Sequence, residues 1–206
     1  MLKFIAERFY MIPLLAALFM YLYYMGGEDI VFFRKKRYAE EPKSQERLMS
    51  ALARFARPRS FKTMGRTTFE FNGERQTYDA ILLSFYGTIA FKADPKGGDI
   101  YGDSNKDEWT QVFLGDKKNF PSPLNDVRGA SRFFRDIYRK ENVKFGQVEG
   151  MVVFTNREVA VAVPKSAPAC KADKLTEMLQ SKKYIADNGA DIEAMKAALE
   201  KYIVAE

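Results

Sequence analysis

The chain has 206 residues, with 33 Lys and Arg against 27 Asp and Glu for a net charge of +6, one cysteine and no histidine. The missing histidine excludes Ser-His-Asp and Cys-His catalysis and every histidine-ligated metal, and a single Cys170 excludes a cysteine zinc cluster or an internal disulfide. Metal chemistry is left with oxygen ligands, which suit Mg²⁺, Mn²⁺ or Ca²⁺. The length allows one domain with a sizeable core and some additions. Its positive charge is spread along the chain, so it permits a polyanionic partner without demanding one.

The first element is apolar. From Phe9 to Met25 no residue is charged, and Gly26–Gly27 extend the uncharged run to 19 residues. That length predicts a single transmembrane helix over residues 1–27. Tyr21, Tyr23 and Tyr24 gather at its far end, where aromatic rings favour the headgroup region. A core helix with no polar face is unusual in a small domain. A cleaved signal peptide is opposed by Glu7 and by the lack of an A-x-A site. Arg34, Lys35, Lys36 and Arg37 outnumber Lys3 and Arg8, so the positive-inside rule puts the globular part in the cytoplasm. Residues 28–43 read as a basic juxtamembrane linker, and Arg34–Arg37 as a topology and headgroup anchor.

Ser44 opens a helix carrying Leu48, Met49, Leu52 and Phe55 on one face, ended by Pro58. Phe61–Phe71 alternates as one strand, and Asn72–Gly73 is a turn. Ala80–Leu83 and Thr88–Phe91 flank a turn at Ser84–Gly87, a β-hairpin in which Gly87 supplies positive φ. Pro95 and Gly97–Gly98 break the second strand, and Asp99–Gly102 is a short return. Trp109–Leu114 reads as a strand, Gly115–Pro123 as a charged loop, and Leu124–Lys140 as a helix across the sheet. Val148–Phe154 and Glu158–Val163 are β runs joined by Thr155–Arg157. Cys170 lies in a loop signal. Two helices, Asp173–Lys183 and Asp191–Val204, close the chain. This order predicts an α/β fold, a mixed sheet covered by helices.

The hairpin carries the most chemistry. Asp79 stands at the mouth of its first strand, and Lys92 and Asp94 leave the second two residues apart, hence on one face. Together they form an ionic cluster of the kind on which metal-dependent nucleases are built. Arg128, Arg132 and Arg135 are spaced by four and three residues; they make either a solvated helix face or a phosphate-facing stripe.

These parts resemble the nuclease-related domain (NERD) family, a branch of the PD-(D/E)XK restriction-endonuclease-like superfamily. The match runs from about Glu46 to Pro164: Glu46 in a first helix, Asp79 opening a strand, Gly87, Gly98–Gly102, Trp109, Pro123 before a helix, and Val152–Phe154. The resemblance implies a restriction-endonuclease-like sheet over residues 44–168 and DNA as the ligand class, while the two closing helices make residues 169–206 a C-terminal helical extension. It further implies that Glu46, Asp79, Asp94 and Asp126 (in place of the family's glutamine) are carboxylates around Mg²⁺, with Lys92 as the charge stabiliser. The family's E-x-K falls on Lys92-Ala93-Asp94 in inverted order. Two readings stay open. The first is an active Mg²⁺-dependent DNA endonuclease using Asp79, Lys92 and Asp94. The second is a degenerate, membrane-anchored member that binds nucleic acid or a protein partner. An ammonium in the metal position substitutes electrostatically for the cation, which favours the second.

Overall fold

The computed structural model describes Met20 and residues 41–205. The expected span Phe9–Met25 (apart from Met20) and the Arg34–Arg37 cluster lie outside the described residues. Among the described residues no helix is long and apolar enough to cross a membrane.

Helix α1, Ser44–Ala56, buries Leu48, Leu52 and Phe55, the face that its spacing predicts. Each such side chain contributes roughly 1.5–3 kcal/mol by leaving water. Five strands follow: β1 Lys62–Met64, β2 Thr67–Phe71, β3 Glu74–Tyr78, β4 Ala80–Ser84 and β5 Gly87–Asp94. The single strand expected over Phe61–Phe71 is divided at Gly65–Arg66, and its halves join different sheets. Asn72 and Gly73 have φ of 52° and 79°, both positive as a two-residue type I′ loop between β2 and β3 requires.

Three more strands, β6 Asp99–Tyr101, β7 Glu108–Phe113 and β8 Asp116–Pro121, precede helices α2 Asn125–Arg128 and α3 Ala130–Lys140. Then come β9 Gln147–Phe154, β10 Ala160–Ala162, β11 Ala169–Lys171, α4 Ala172–Leu179, α5 Lys182–Ile185, α6 Ile192–Glu200 and β12 Ile203–Val204. Residues 116–121, expected as a loop, are therefore a strand. β9 and β10 do not pair with each other, since β10 runs parallel to β6.

The single mixed sheet expected from the sequence is corrected to three sheets among the described residues. The largest has the order β1-β4-β5-β9-β11, antiparallel up to β5 and parallel beyond it; β10-β6-β7-β8 and β12-β2-β3 are the others. The antiparallel hairpin thus feeds a parallel neighbour through a long crossover containing β6, β7 and β8 of the second sheet, α2 and α3. At Gly87 the backbones of β5 and β9 approach so closely that a Cβ would lie 2.0 Å from the Gln147 carbonyl oxygen.

Alternation along β4, β5 and β9 gives the large sheet two buried faces. Ala80, Leu82, Phe91 and Val153 pack under α1 and α4. Ile81, Leu83 and Ala90 pack under α3 and α6, where Phe134, Tyr138 and Met195 fill the core. Val152 and Phe154 join Trp109 and Phe120 of the second sheet. Beyond residue 168 the chain does not stand apart: β11 extends the large sheet and β12 pairs with β2.

Candidate functional site

Asp79 is fixed by the sheet that it opens. Its N–H donates to the Phe91 carbonyl at 2.9 Å, and its Oδ2 accepts the Ala93 N–H at 2.9 Å. The side chain is only 14% exposed, and Oδ1 lies 3.9 Å from the Arg66 guanidinium. Around it is a cleft of about 430 Å³ lined by Glu41, Ser44, Gln45, Arg66, Ala93 and Pro95. The start of α1 is sewn to the strand ends: Ser44 Oγ is 2.6 Å from Thr155 Oγ1, and the Arg47 guanidinium donates to Glu41 at 2.8 Å and to the Thr155 carbonyl at 2.6 Å. The Glu41 N–H closes the ring on the Pro95 carbonyl.

The face of β5 that lines this cleft is decided by α1. Phe91 packs in the α1 core and Ala93 against it, so Lys92 and Asp94, one residue out of phase, share the opposite face. Asp94 is buried there. Its carboxylate accepts the Lys96 N–H at 2.9 Å and pairs with Lys96 Nζ at 3.1 Å, and that ammonium sits 4.8 Å from the Phe120 ring centroid. Lys92 is half-buried and has no ion pair or side-chain hydrogen bond among the described residues.

The other predicted carboxylates stand apart. Glu46 points to solvent, 3.9 Å from Lys43, and Asp126 is exposed on α2. Among the described residues no three acidic or cysteine side chains gather closely enough to share a metal ion. Of the four predicted ligands only Asp79 lines the cleft, and its companion there, Glu41, was hidden in what the sequence presents as linker. Mg²⁺ demands an octahedron of oxygens at short range. Here one Asp79 oxygen is taken by an amide, the other faces Arg66, and Glu41 is held by Arg47. This donor set does not fit the ion.

The expected arginine stripe is divided as well. Arg128 ends α2 and reaches Asp107 at 3.5 Å and the Ser104 carbonyl at 3.2 Å. Arg132 on α3 pairs with Glu74 at 3.2 Å. Arg135 is half-buried, and its charge acts on the Tyr86 hydroxyl.

A second polar cluster escaped the sequence. Glu149, in the middle of β9, receives Tyr86 Oη at 2.5 Å, Tyr184 Oη at 3.1 Å and Lys183 Nζ at 2.6 Å. Burial pushes its carboxyl up, but the hydrogen bonds from Lys183 and Tyr86 outweigh this and hold it below the ordinary carboxylate value. Burial and the same carboxylate push the Tyr86 and Tyr184 hydroxyls upward. With Arg128, Ser131 and Gly150, Glu149 and Lys183 border a pocket of about 400 Å³. A lone glutamate in a β run carried no signal of these partners, which come from the turn at 86 and from α5.

Compared with known proteins, the chain matches the family model described as nuclease-related domain over residues 41–155. No curated protein and no solved structure matches it.

Proposed function

The chain belongs to the nuclease-related domain family, and from that premise we propose that it is a catalytically silent member, a binding module on a membrane anchor. The observation that carries this reading is the identity of the residues which β5 presents to the Asp79 cleft. They are Ala93 and the following Pro95, where hydrolysis would need an acid and a base-orienting cation. Ala93 offers its amide to Asp79 and nothing more. Arg66 stands where the cleft's negative charge would otherwise call for a metal ion. With its carboxylate already compensated by Arg66, the cleft lacks, among the described residues, the acidic ligand set that would hold a metal ion to polarise a phosphodiester and make hydroxide. What the fold retains is shape: a cleft bounded by a helix start and two strand ends. The uncharged Phe9–Gly27 segment would hold the domain at the cytoplasmic face of a membrane, and nucleic acid is the ligand class that the family suggests.

The test uses the full chain in detergent. Its melting temperature is measured with and without millimolar Mg²⁺ or Mn²⁺, and plasmid and single-stranded DNA are incubated under the same conditions. No metal-dependent shift and no cleavage are expected. A shift that Asp79→Ala removes, accompanied by Mg²⁺-dependent cleavage, would overturn the proposal in favour of an active endonuclease.

A further inference from the structure

We propose that the outer side of α1 is a docking surface for anionic phospholipid headgroups, with Arg54, Arg57 and Arg157 as its phosphate ligands. The inference rests on the membrane-anchor reading above and gives that anchored domain a fixed orientation.

Two clefts flank the exposed ridge of α1 and share Ser50 and Arg54. The first, about 390 Å³, lies between α1 and α4 and is lined by Arg47, Ser50, Arg54, Arg157 and Asp173. The second, about 670 Å³, lies between α1 and β1, with Arg54 and Arg57 at its rim and Met49, Ala53 and Phe61 as its floor. Arg47 is committed to Glu41 and Thr155. Arg54, Arg57 and Arg157 make no ion pair or side-chain hydrogen bond among the described residues. Asp173 is the one carboxylate among the side chains lining the two clefts. Uncompensated like charges repel, and they lose that repulsion when a phosphate sits between them, because guanidinium forks match its oxygens.

The apolar floor distinguishes this surface from a merely solvated one. Phe61 packs edge-on against Phe85 at 5.5 Å, and Phe85 is 46% exposed at the tip of the β4–β5 turn. Cations beside exposed aromatic and aliphatic groups form the pattern of an interfacial element, in which rings enter the headgroup layer while guanidinium groups take the phosphates. Chain length supplies the occupant. Ser44 follows Gly27 by 17 residues, a tether of roughly 60 Å at full extension. A domain so tethered meets the lipid surface at high effective concentration. The inner leaflet is anionic, and each arginine near it contributes about a fivefold gain in association.

The full chain is reconstituted in phosphatidylcholine nanodiscs with and without about a third phosphatidylserine, and amide exchange is followed across residues 47–61. Anionic discs are expected to slow exchange on this ridge. High salt should reverse the effect, and Arg54→Glu with Arg157→Glu should remove it, at a loss of about 30-fold or more in association. Both arginines are exposed and have no ion pair among the described residues, so the double variant should keep the parent melting temperature, which separates lost docking from lost folding. Equal exchange in neutral and anionic discs would overturn the proposal. So would protection by a single-stranded oligonucleotide or by inorganic phosphate in neutral discs without any response to phosphatidylserine. Failure of the chain to enter discs would sink the anchor reading alone. Co-flotation with anionic vesicles then reads the ridge directly, and no flotation would sink it too.

Discussion

The amide of Ala93 donates to Asp79 Oδ2 at 2.9 Å, so the carboxylate at the head of β4 serves as a clasp on β5. A second clasp, Asp79 N–H to the Phe91 carbonyl, lies beside it. Together they hold the hairpin closed just beyond its last ladder pair, Ala80 with Phe91. In an active nuclease the same carboxylate would have to face a metal, and here its geometry serves the sheet.

Asp79→Ala therefore reads as a stability change. It leaves the Ala93 amide without its acceptor, at a cost of about 1–3 kcal/mol. Asp79→Asn keeps an acceptor oxygen and should recover most of that loss. Urea unfolding of the two variants checks the order; equal loss in both would mean that charge, rather than the hydrogen bond, holds the clasp.

The same cleft predicts a gain of function in metal binding. Ala93→Glu with Pro95→Lys would place a third carboxylate beside Asp79 and Glu41 and an ammonium two residues on. Mg²⁺ should then raise the melting temperature of the double variant, by the equivalent of about 2.7 kcal/mol at a hundredfold excess over Kd, while the parent stays unmoved. An unresponsive double variant with parental stability would show that Arg66 and Arg47 still occupy the carboxylates.

Much of the fold was legible because its strongest elements are local. The apolar runs on either side of Ser84–Gly87, the 3–4 spacing of Leu48, Leu52 and Phe55, and Asn72–Gly73 each encode their own element. β8 was not legible, because Lys117, Lys118 and Asn119 are exposed residues paired on one side only, at the edge of a small sheet. β11 hid in a Pro/Ala/Lys stretch whose strand character comes from lying beside β9. The site was legible by half. Period-two alternation puts Lys92 and Asp94 on one face, but which face α1 covers is settled by packing far along the chain, and with it the choice between Lys92 and Ala93 as neighbour of Asp79.

Gly87 is the point where the hairpin and the parallel strand are joined. Its φ of +133° is open to glycine, and a Cβ there would lie 2.0 Å from one backbone oxygen and 2.6 Å from another. Backbone atoms of a central ladder cannot yield as a flexible side chain does. Gly87→Ala should destabilise by more than about 4 kcal/mol, in the range reserved for core disruption. Gly73→Ala, with positive φ but open space around it, should lose only about 1 kcal/mol. Comparable melting temperatures for the two variants would contradict the close approach of β5 and β9.

The Glu149 cluster predicts a pH dependence with a definite sign. Its carboxylate is held below the ordinary glutamate value in the folded chain: burial opposes ionisation, and hydrogen bonds from Lys183, Tyr86 and Tyr184 prevail. A group whose folded value is depressed binds its proton more readily when unfolded, so its stabilisation is complete above about pH 4.5 and is lost as pH falls through the lower folded value. Burial and the carboxylate raise the Tyr86 and Tyr184 hydroxyls, so both keep their protons throughout this window. The parent should lose melting temperature below pH 4.5 faster than Glu149→Gln, whose amide keeps hydrogen-bonding capacity without a charge to lose. The two curves should converge in acid and separate towards neutrality, with the parent higher. Because Lys183 and Tyr184 belong to α5, Lys183→Met should reproduce part of the flattening and loosen that helix from β9, visible as faster amide exchange over residues 182–185. Parallel pH curves for parent and Glu149→Gln would mean that the carboxylate gains nothing from its partners, and that α5 is held by Tyr184 packing against Tyr86 instead.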